Sequence, residues 1–250
     1  MRISKHTSWA LALCMLGGAM SSIANAQNEQ VTRMRAALAS PDRPAADKAR
    51  DEARKPIETV QFLGIKTGDT VVDMIAESGW VTEVLSAAVG PKGHVYMQNP
   101  PFLAEREPKD MIARLANVEP LHVQLAEAGI TSKADAIVTA MNLHDIYNGF
   151  GNQPAGEGPA VEFVKTLYAA LKPGGVLGVI DHVGVAGQNN AMLHRMLPQQ
   201  ARDVLTKAGF KIEAESNLLA NPADDHTKGV FDPAIRGHTD QFMFRARKPR

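Results

Sequence analysis

Residues 70–98 read TVVDMIAESGWVTEVLSAAVGPKGHVYMQ. Thr70 to Ile75 is short, apolar and rich in β-branched residues, the composition of a buried strand. Trp80 to Val89 carries Val81, Val84, Leu85 and Ala88 at helical spacing, and Gly93 to Met97 is strand-like again. Gly64 and Lys66-Thr67-Gly68-Asp69 form the turn that leads in. A strand, a turn, a helix and a second strand within one short stretch make a βαβ unit, which requires a parallel pair.

The same alternation continues downstream. A helix around Leu103 to Leu115 precedes a short strand near Leu121 to Val123, and Ala136 to Ala140 is the fourth strand. A Gly- and Pro-rich loop from Gly149 to Pro159 leads to a helix over about Ala160 to Leu171. The turn Lys172-Pro173-Gly174-Gly175 then opens a strand over Val176 to Ile180. A helix over Leu197 to Ala208 stops at Gly209, strand-like Phe210 to Glu215 follows, and Gln241 to Ala246 is the last strand. This pattern predicts an α/β domain over residues 64–250 with a doubly wound, mostly parallel sheet. Upstream, residues 28–39 read as a short helix ended by Ser40-Pro41-Asp42-Arg43-Pro44. A second helix is expected over Ala46 to Leu63, its charged first half (DKARDEARKP) on the surface. Residues 27–63 are thus expected as an N-terminal helical extension.

Residues 1–26 have the layout of a secretory signal peptide: basic Arg2 and Lys5, an apolar Ala10 to Met20 too short to span a bilayer, and Ala24-Asn25-Ala26 as a small-x-small cleavage site. Leu11-Ala12-Leu13-Cys14 is similar to a lipobox, but Leu13 stands where a small residue is required. Cleavage after Ala26 is the expectation, with a periplasmic or secreted product and no stable membrane insertion. Removing 26 residues, with Arg2, Lys5 and the sole cysteine, leaves 224 residues carrying 25 basic and 27 acidic side chains. Thiol chemistry is then excluded. The full chain, with 27 basic and 27 acidic residues and 44% hydrophobic ones, is that of an ordinary globular protein, without the basic excess that a nucleic-acid partner requires.

The run Val71-Val72-Asp73-Met74-Ile75-Ala76-Glu77-Ser78-Gly79-Trp80, continued by Val89-Gly90-Pro91-Lys92-Gly93, resembles the first motif of the class I S-adenosylmethionine-dependent methyltransferases. Leu171-Lys172-Pro173-Gly174-Gly175-Val176-Leu177 is similar to the turn before that family's fifth strand, and Lys207-Ala208-Gly209-Phe210 to its junction before the sixth. The resemblance covers about Pro56 to Lys248 and implies a seven-stranded, Rossmann-like methyltransferase fold with S-adenosylmethionine as cofactor. It implies cofactor contacts at Asp73, Ala76, Glu77, Gly79, Asn99, Met141 and Asn142. The sequence departs from the family where Ile75 and Glu77 stand at two of the three glycine positions, and where Asn99 stands for the acid that receives the ribose hydroxyls.

In open α/β sheets ligands bind beyond the carboxyl ends of the strands, at the topological switch point. Two polar pairs fall there: His144-Asp145 after the fourth strand and Asp181-His182 after the fifth. Imidazole titrates near neutrality and a carboxylate can orient it, so His144 and then His182 are candidate bases, with Asp145 and Asp181 as partners. If each pair lay on a strand, only one member could face the pocket. His194 and Arg195, with His226 from the loop between the last two strands, are candidates for binding an anionic part of a substrate; Arg195 could equally neutralise nearby acids. The spacing of Asp and His in that loop matches no standard zinc or calcium pattern, and no metal is expected. These readings lead to an exported methyltransferase acting on a small molecule. Two alternatives stay open: a catalytically inactive, methyltransferase-like binding protein, and an enzyme of another class using the His and Asp residues.

Overall fold

The computed structural model describes residues 24–149 and 154–250. Arg2, Lys5, the apolar stretch with Cys14, and residues 150–153 of the Gly/Pro-rich loop lie outside the described residues. Four helices come first: α1 (residues 24–38), α2 (Ala45–Lys48), α3 (Asp51–Arg54) and α4 (Pro56–Leu63). The single helix expected over Ala46 to Leu63 is therefore three pieces. Pro56 has no N–H and crowds the helical conformation of the residue before it, so Lys55 turns left-handed (φ 42°) and Pro56 restarts the chain at the first position of a new helix.

The rest alternates as expected: β1 (Thr70–Met74), α5 (Trp80–Val89), β2 (His94–Gln98), a 3-10 helix (Pro101–Arg106), α6 (Lys109–Arg114), β3 (Val118–Leu121), β4 (Ala134–Ala140), α7 (Leu143–Asn148), α8 (Glu157–Ala170), β5 (Leu171–His182), α9 (Pro198–Lys207), β6 (Lys211–Ser216) and β7 (Gln241–Arg247). Among the described residues the strands form one seven-stranded sheet in the order β3-β2-β1-β4-β5-β7-β6, with β7 antiparallel to both its neighbours. β3 lies three residues earlier than its sequence expectation. Pro120 interrupts the apolar pattern, and an edge strand tolerates a proline that a central one would not.

Both faces of the sheet are covered, which is why its central strands read as continuous apolar runs. Val71, Ala136, Val138 and Val176 face α1, α4 and α5, where Met34, Val60, Leu63, Val84 and Leu85 are buried. Their neighbours Val72, Ile137, Leu177 and Val179 face the other way, onto Val164 and Leu167 of α8 and Val204 and Leu205 of α9. Each buried Val, Leu, Ile or Met among them contributes about 1.5–3 kcal/mol relative to an exposed one.

The N-terminal helices are tied to this core by buried polar groups as well. Gln30 donates to the carbonyls of Ile65 and Ala88 at 2.9 and 3.0 Å. Arg43, 2% exposed, donates to Asp51 at 2.9 Å and to Glu83 of α5 at 2.8 Å. The charged run lies on the surface as expected, with no residue of α2 or α3 buried, but Asp51 also satisfies a buried guanidinium, and α3 closes over the carboxyl edge of the sheet.

Register places the strand ends level. Asp73 pairs with Met97 and Val138, and Ala140 with Ile180. The residues one step further, from Ile75, Asn99, Met141 and Asp181 onward, therefore gather at one edge, around the switch between β1 and β4.

Candidate functional site

A cavity of about 450 Å³ opens at this edge, within the range of small-molecule sites. Arg54 and Trp80 wall one side, Asp73, Ile75, Ala76 and Glu77 line the turn after β1, and Met141, Asn142, His144 and Asp145 follow β4. His182 closes β5, and Phe231, Arg236, His238 and Thr239 reach in from the β6–β7 loop.

The turn after β1 holds the main departure from the family pattern, and its backbone resolves it. Ile75, Glu77 and Gly79 have φ of 58°, 49° and 78°. All three alternate positions are left-handed, although only one is glycine. A non-glycine residue pays about 1–2 kcal/mol for this region, and a β-branched one is a clear outlier there. Such a conformation persists only where the surroundings over-determine it. Here they do: the Ala76 N–H donates to the Gln98 carbonyl at 3.0 Å, the Glu77 N–H to the Asn99 side-chain oxygen at 2.8 Å, and the Asn142 amide to the carbonyls of Met74 and Ile75 at 3.2 Å each. A Cβ on Gly79 would come within 2.8 Å of the flexible end of Met111. Gly79 packs on α6 and does not line the cavity.

Asn99 is a correction to the sequence reading. It stands where the family's ribose acceptor is expected, yet it is fully buried, with its oxygen committed to Glu77 and its amide donating to Glu107 at 2.8 Å. Glu107 in turn meets His122 at 3.0 Å. Asn99 thus braces the turn from behind. Asn142 lines the cavity but spends its amide on three carbonyls in the same bracing role.

Asp73 is 1% exposed and accepts a 2.6 Å hydrogen bond from the Thr82 hydroxyl. Burial pushes its carboxyl up to about 7, against the hydrogen bonds from Thr82, with Glu77 adding to the rise.

At the far end four predicted residues come together. His144 Nδ1 lies 2.6 Å from Asp181 Oδ1, and Asp181 also accepts the backbone N–H groups of His144 and His182 at 2.8 and 2.7 Å. His144 Nε2 lies 3.2 Å from Asp145 Oδ1, and that oxygen lies 3.0 Å from His194 Nδ1. Burial alone would lower the His144 imidazole, but Asp181 and Asp145 outweigh it and push it up to about 10. Facing only these two carboxylates the ring favours its protonated form, which weighs against His144 as the first choice of base. The expectation that only one member of each pair could face the site also fails for the first pair, because His144 and Asp145 sit on α7 and not on a strand. Burial pushes His182 the other way, down to about 4, helped by the positive charges of His144, Arg195 and Arg54; it shares a 2.7 Å hydrogen bond with Thr239.

Arg195 and His226 are not at the cavity. Arg195 is wholly buried, forked onto Asp224 at 2.9 and 3.1 Å, and donates to the carbonyls of Val183 and Lys228. It staples the β6–β7 loop to the end of β5, and a substrate has no access to it. His226 pairs with Asp240 at 3.0 Å within that same loop. His194 does not line the cavity either, but it meets Asp145, which does, and its ring lies 4.9 Å from that of Phe231.

Arg54, placed by the sequence on the helix surface, and Trp80, buried at the edge of the core, form a wall of the cavity. The guanidinium lies 4.9 Å over the Trp80 ring, and burial with nearby Arg50 pushes it down to about 10. The Trp80 N–H donates to the Asp47 carbonyl and the Asp51 carboxylate at 3.0 and 3.1 Å. The one local signal of this was the Lys55-Pro56 break, which turns α3 back over the sheet edge.

No protein-family model matches the chain, and no curated protein sequence does. Solved structures do. A SAM dependent methyltransferase from Aquifex aeolicus aligns with a TM-score of 0.57 over 80% of this chain and 98% of that one, at 19% identity. The arsenic(III) S-adenosylmethionine methyltransferase CrArsM from Chlamydomonas reinhardtii aligns at 0.53 over 87% and 73%, at 18% identity. The [4+2]-cyclase SpnF aligns at 0.54 over 79% and 80%, also at 18%. The likeness is one of fold: the chain has the Rossmann-like architecture of the S-adenosylmethionine-dependent methyltransferases.

Proposed function

We propose that the chain is an exported methyltransferase that uses S-adenosylmethionine and acts on a small molecule. The observation that carries this reading is the turn Ile75 to Gly79, left-handed at all three positions where the family has glycine. A sequence that had merely lost its glycines had every energetic reason to let this turn relax.

The residues present fit the cofactor. The backbone of Ile75 to Ser78 with Asp73 and Glu77 would hold it, in a cavity of about 450 Å³. When bound, the cofactor supplies a methyl group on a sulfonium, which an acceptor's lone pair displaces in line. The chain's own contribution is placement and exclusion of water. Glu77 brings a carboxylate to the cavity, a group suited to a cation or to sugar hydroxyls, in place of the acid missing after β2. His144, fixed by Asp181, and His182, held by Thr239, border the opposite end, where an acceptor would lie beside Phe231 and Arg236. The basic, apolar and small-residue segments of residues 1–26 support export.

The test is formation of S-adenosylhomocysteine from S-adenosylmethionine by the purified protein with pooled small-molecule acceptors. Turnover that Glu77→Lys abolishes supports the reading; its absence with every acceptor class, together with no cofactor binding, refutes it. A second reading, an enzyme of another class on this fold, draws support from the His144–Asp181 and Asp145–His194 pairs and from the existence of a cyclase with the same architecture. Cofactor binding without methyl transfer would favour it.

A further inference from the structure

We propose that His144, Asp145 and His194 form a binding site for one divalent transition-metal ion at the rim of the cavity. The site takes an ion of the zinc class and leaves part of its coordination open to a ligand.

Three observations carry this. The first is convergence: His144 Nε2 and His194 Nδ1 lie 3.2 and 3.0 Å from the same oxygen of Asp145, and the three atoms all fall within 4.8 Å of one another. An ion about 2.0–2.2 Å from each ligand separates neighbouring ligand atoms by roughly 3–3.5 Å, so these atoms need little movement to share one.

The second is the support behind the first ligand. Asp181, wholly buried, lies 2.6 Å from the other ring nitrogen of His144 and is itself held by two backbone N–H groups. A carboxylate behind a histidine fixes the ring and raises the basicity of the nitrogen that faces the ion. Here it turns Nε2 towards Asp145.

The third is the effort spent on the last ligand. His194 is left-handed (φ 53°), a costly conformation for a histidine. It is clamped by its neighbour Arg195, whose fork onto Asp224 and bonds to two carbonyls leave the segment little freedom. Two imidazoles and one carboxylate select zinc, cobalt, nickel, iron or copper over magnesium and calcium. Three protein ligands with open positions are the pattern of a site that takes a further oxygen ligand, and His144 and Asp145 both line the cavity. The inference rests on these side chains alone and stands whether or not the cavity transfers methyl groups.

The experiment is titration of the chelator-treated full-length protein with Co²⁺, read by its visible absorption, then displacement with Zn²⁺. One saturable site is expected, weakened at least about tenfold by His194→Ala and by Asp145→Asn and unchanged by His226→Ala. A concentration-dependent rise in Tm with Zn²⁺ is expected for the wild-type protein, and that reading does not depend on any variant folding. Absence of saturable Co²⁺ binding, absence of the Zn²⁺ shift, or affinity unaltered in both folded ligand variants would overturn the proposal.

Discussion

The backbone N–H of Glu77 donates to the side-chain oxygen of Asn99 at 2.8 Å, while the amide of Asn99 donates to Glu107. One side chain at the end of β2 therefore clamps the turn after β1 between two strands. In the family that this sequence resembles, an acid at this point faces the ligand; here an amide serves the backbone.

Restoring the acid should do harm. In Asn99→Asp the donor to Glu107 becomes a carboxylate facing a carboxylate, and the buried charge has no cationic partner. Loss of about 1–3 kcal/mol is expected from the broken hydrogen bond to Glu107, read as a lower urea midpoint, with weaker cofactor binding. Tighter binding in this variant would mean that the side chain faces the ligand after all.

Glu77→Gly removes a non-glycine residue from φ 49°. The relief of about 1–2 kcal/mol exceeds the added freedom of the unfolded chain, about 0.5–1 kcal/mol. The variant should melt slightly higher than the parent yet bind the cofactor less well, since the carboxylate is gone. A lower Tm would show that the turn is not strained at this residue.

The Arg195–Asp224 pair is sealed from solvent on both sides. Arg195→Ala leaves an uncompensated buried carboxylate and should cost about 3–5 kcal/mol, read by denaturant unfolding. Hydrogen exchange should speed up across residues 217–240 in particular. A change below about 1 kcal/mol would contradict the staple role.

Asp73 makes stability pH-dependent in a defined direction. Its carboxyl, at about 7 in the folded protein, lies above the ordinary value of about 3.9, so the native state holds the proton more tightly. The contribution is complete below about pH 4 and is lost as pH rises towards 7. Over that window it amounts to roughly 4 kcal/mol at most. Asp73→Asn should flatten the fall in unfolding free energy between those pH values relative to the parent. An unchanged slope would show that Asp73 ionises normally.

Much of this architecture was legible because the sheet is covered on both sides. Central strands such as Thr70–Met74 and the core of Leu171–His182 are near-continuous apolar runs bounded by turn residues, and strand-helix alternation needs no tertiary knowledge to read. Contacts made through one side chain were not legible. His194 and Arg195 are adjacent, yet one meets Asp145 at the cavity and the other is buried under the β6–β7 loop; no local pattern separates them. Asp145 and His194 lie 49 positions apart and meet only because β4 and β5 end level. Arg54 sat in a charged run that looks solvated until Pro56 bends the chain over the sheet edge. The glycine substitutions were visible, but whether the backbone followed them was not, because φ is settled by Gln98 and Asn99 at the end of β2 and by Asn142 after β4.

That backbone is the point on which the proposed function stands. Calorimetric titration of the purified protein with S-adenosylhomocysteine tests it most directly. A single saturable site is expected, lost in Glu77→Lys and weakened in Asn99→Ala. No heat of binding up to millimolar ligand, from a protein shown to be folded, would contradict it.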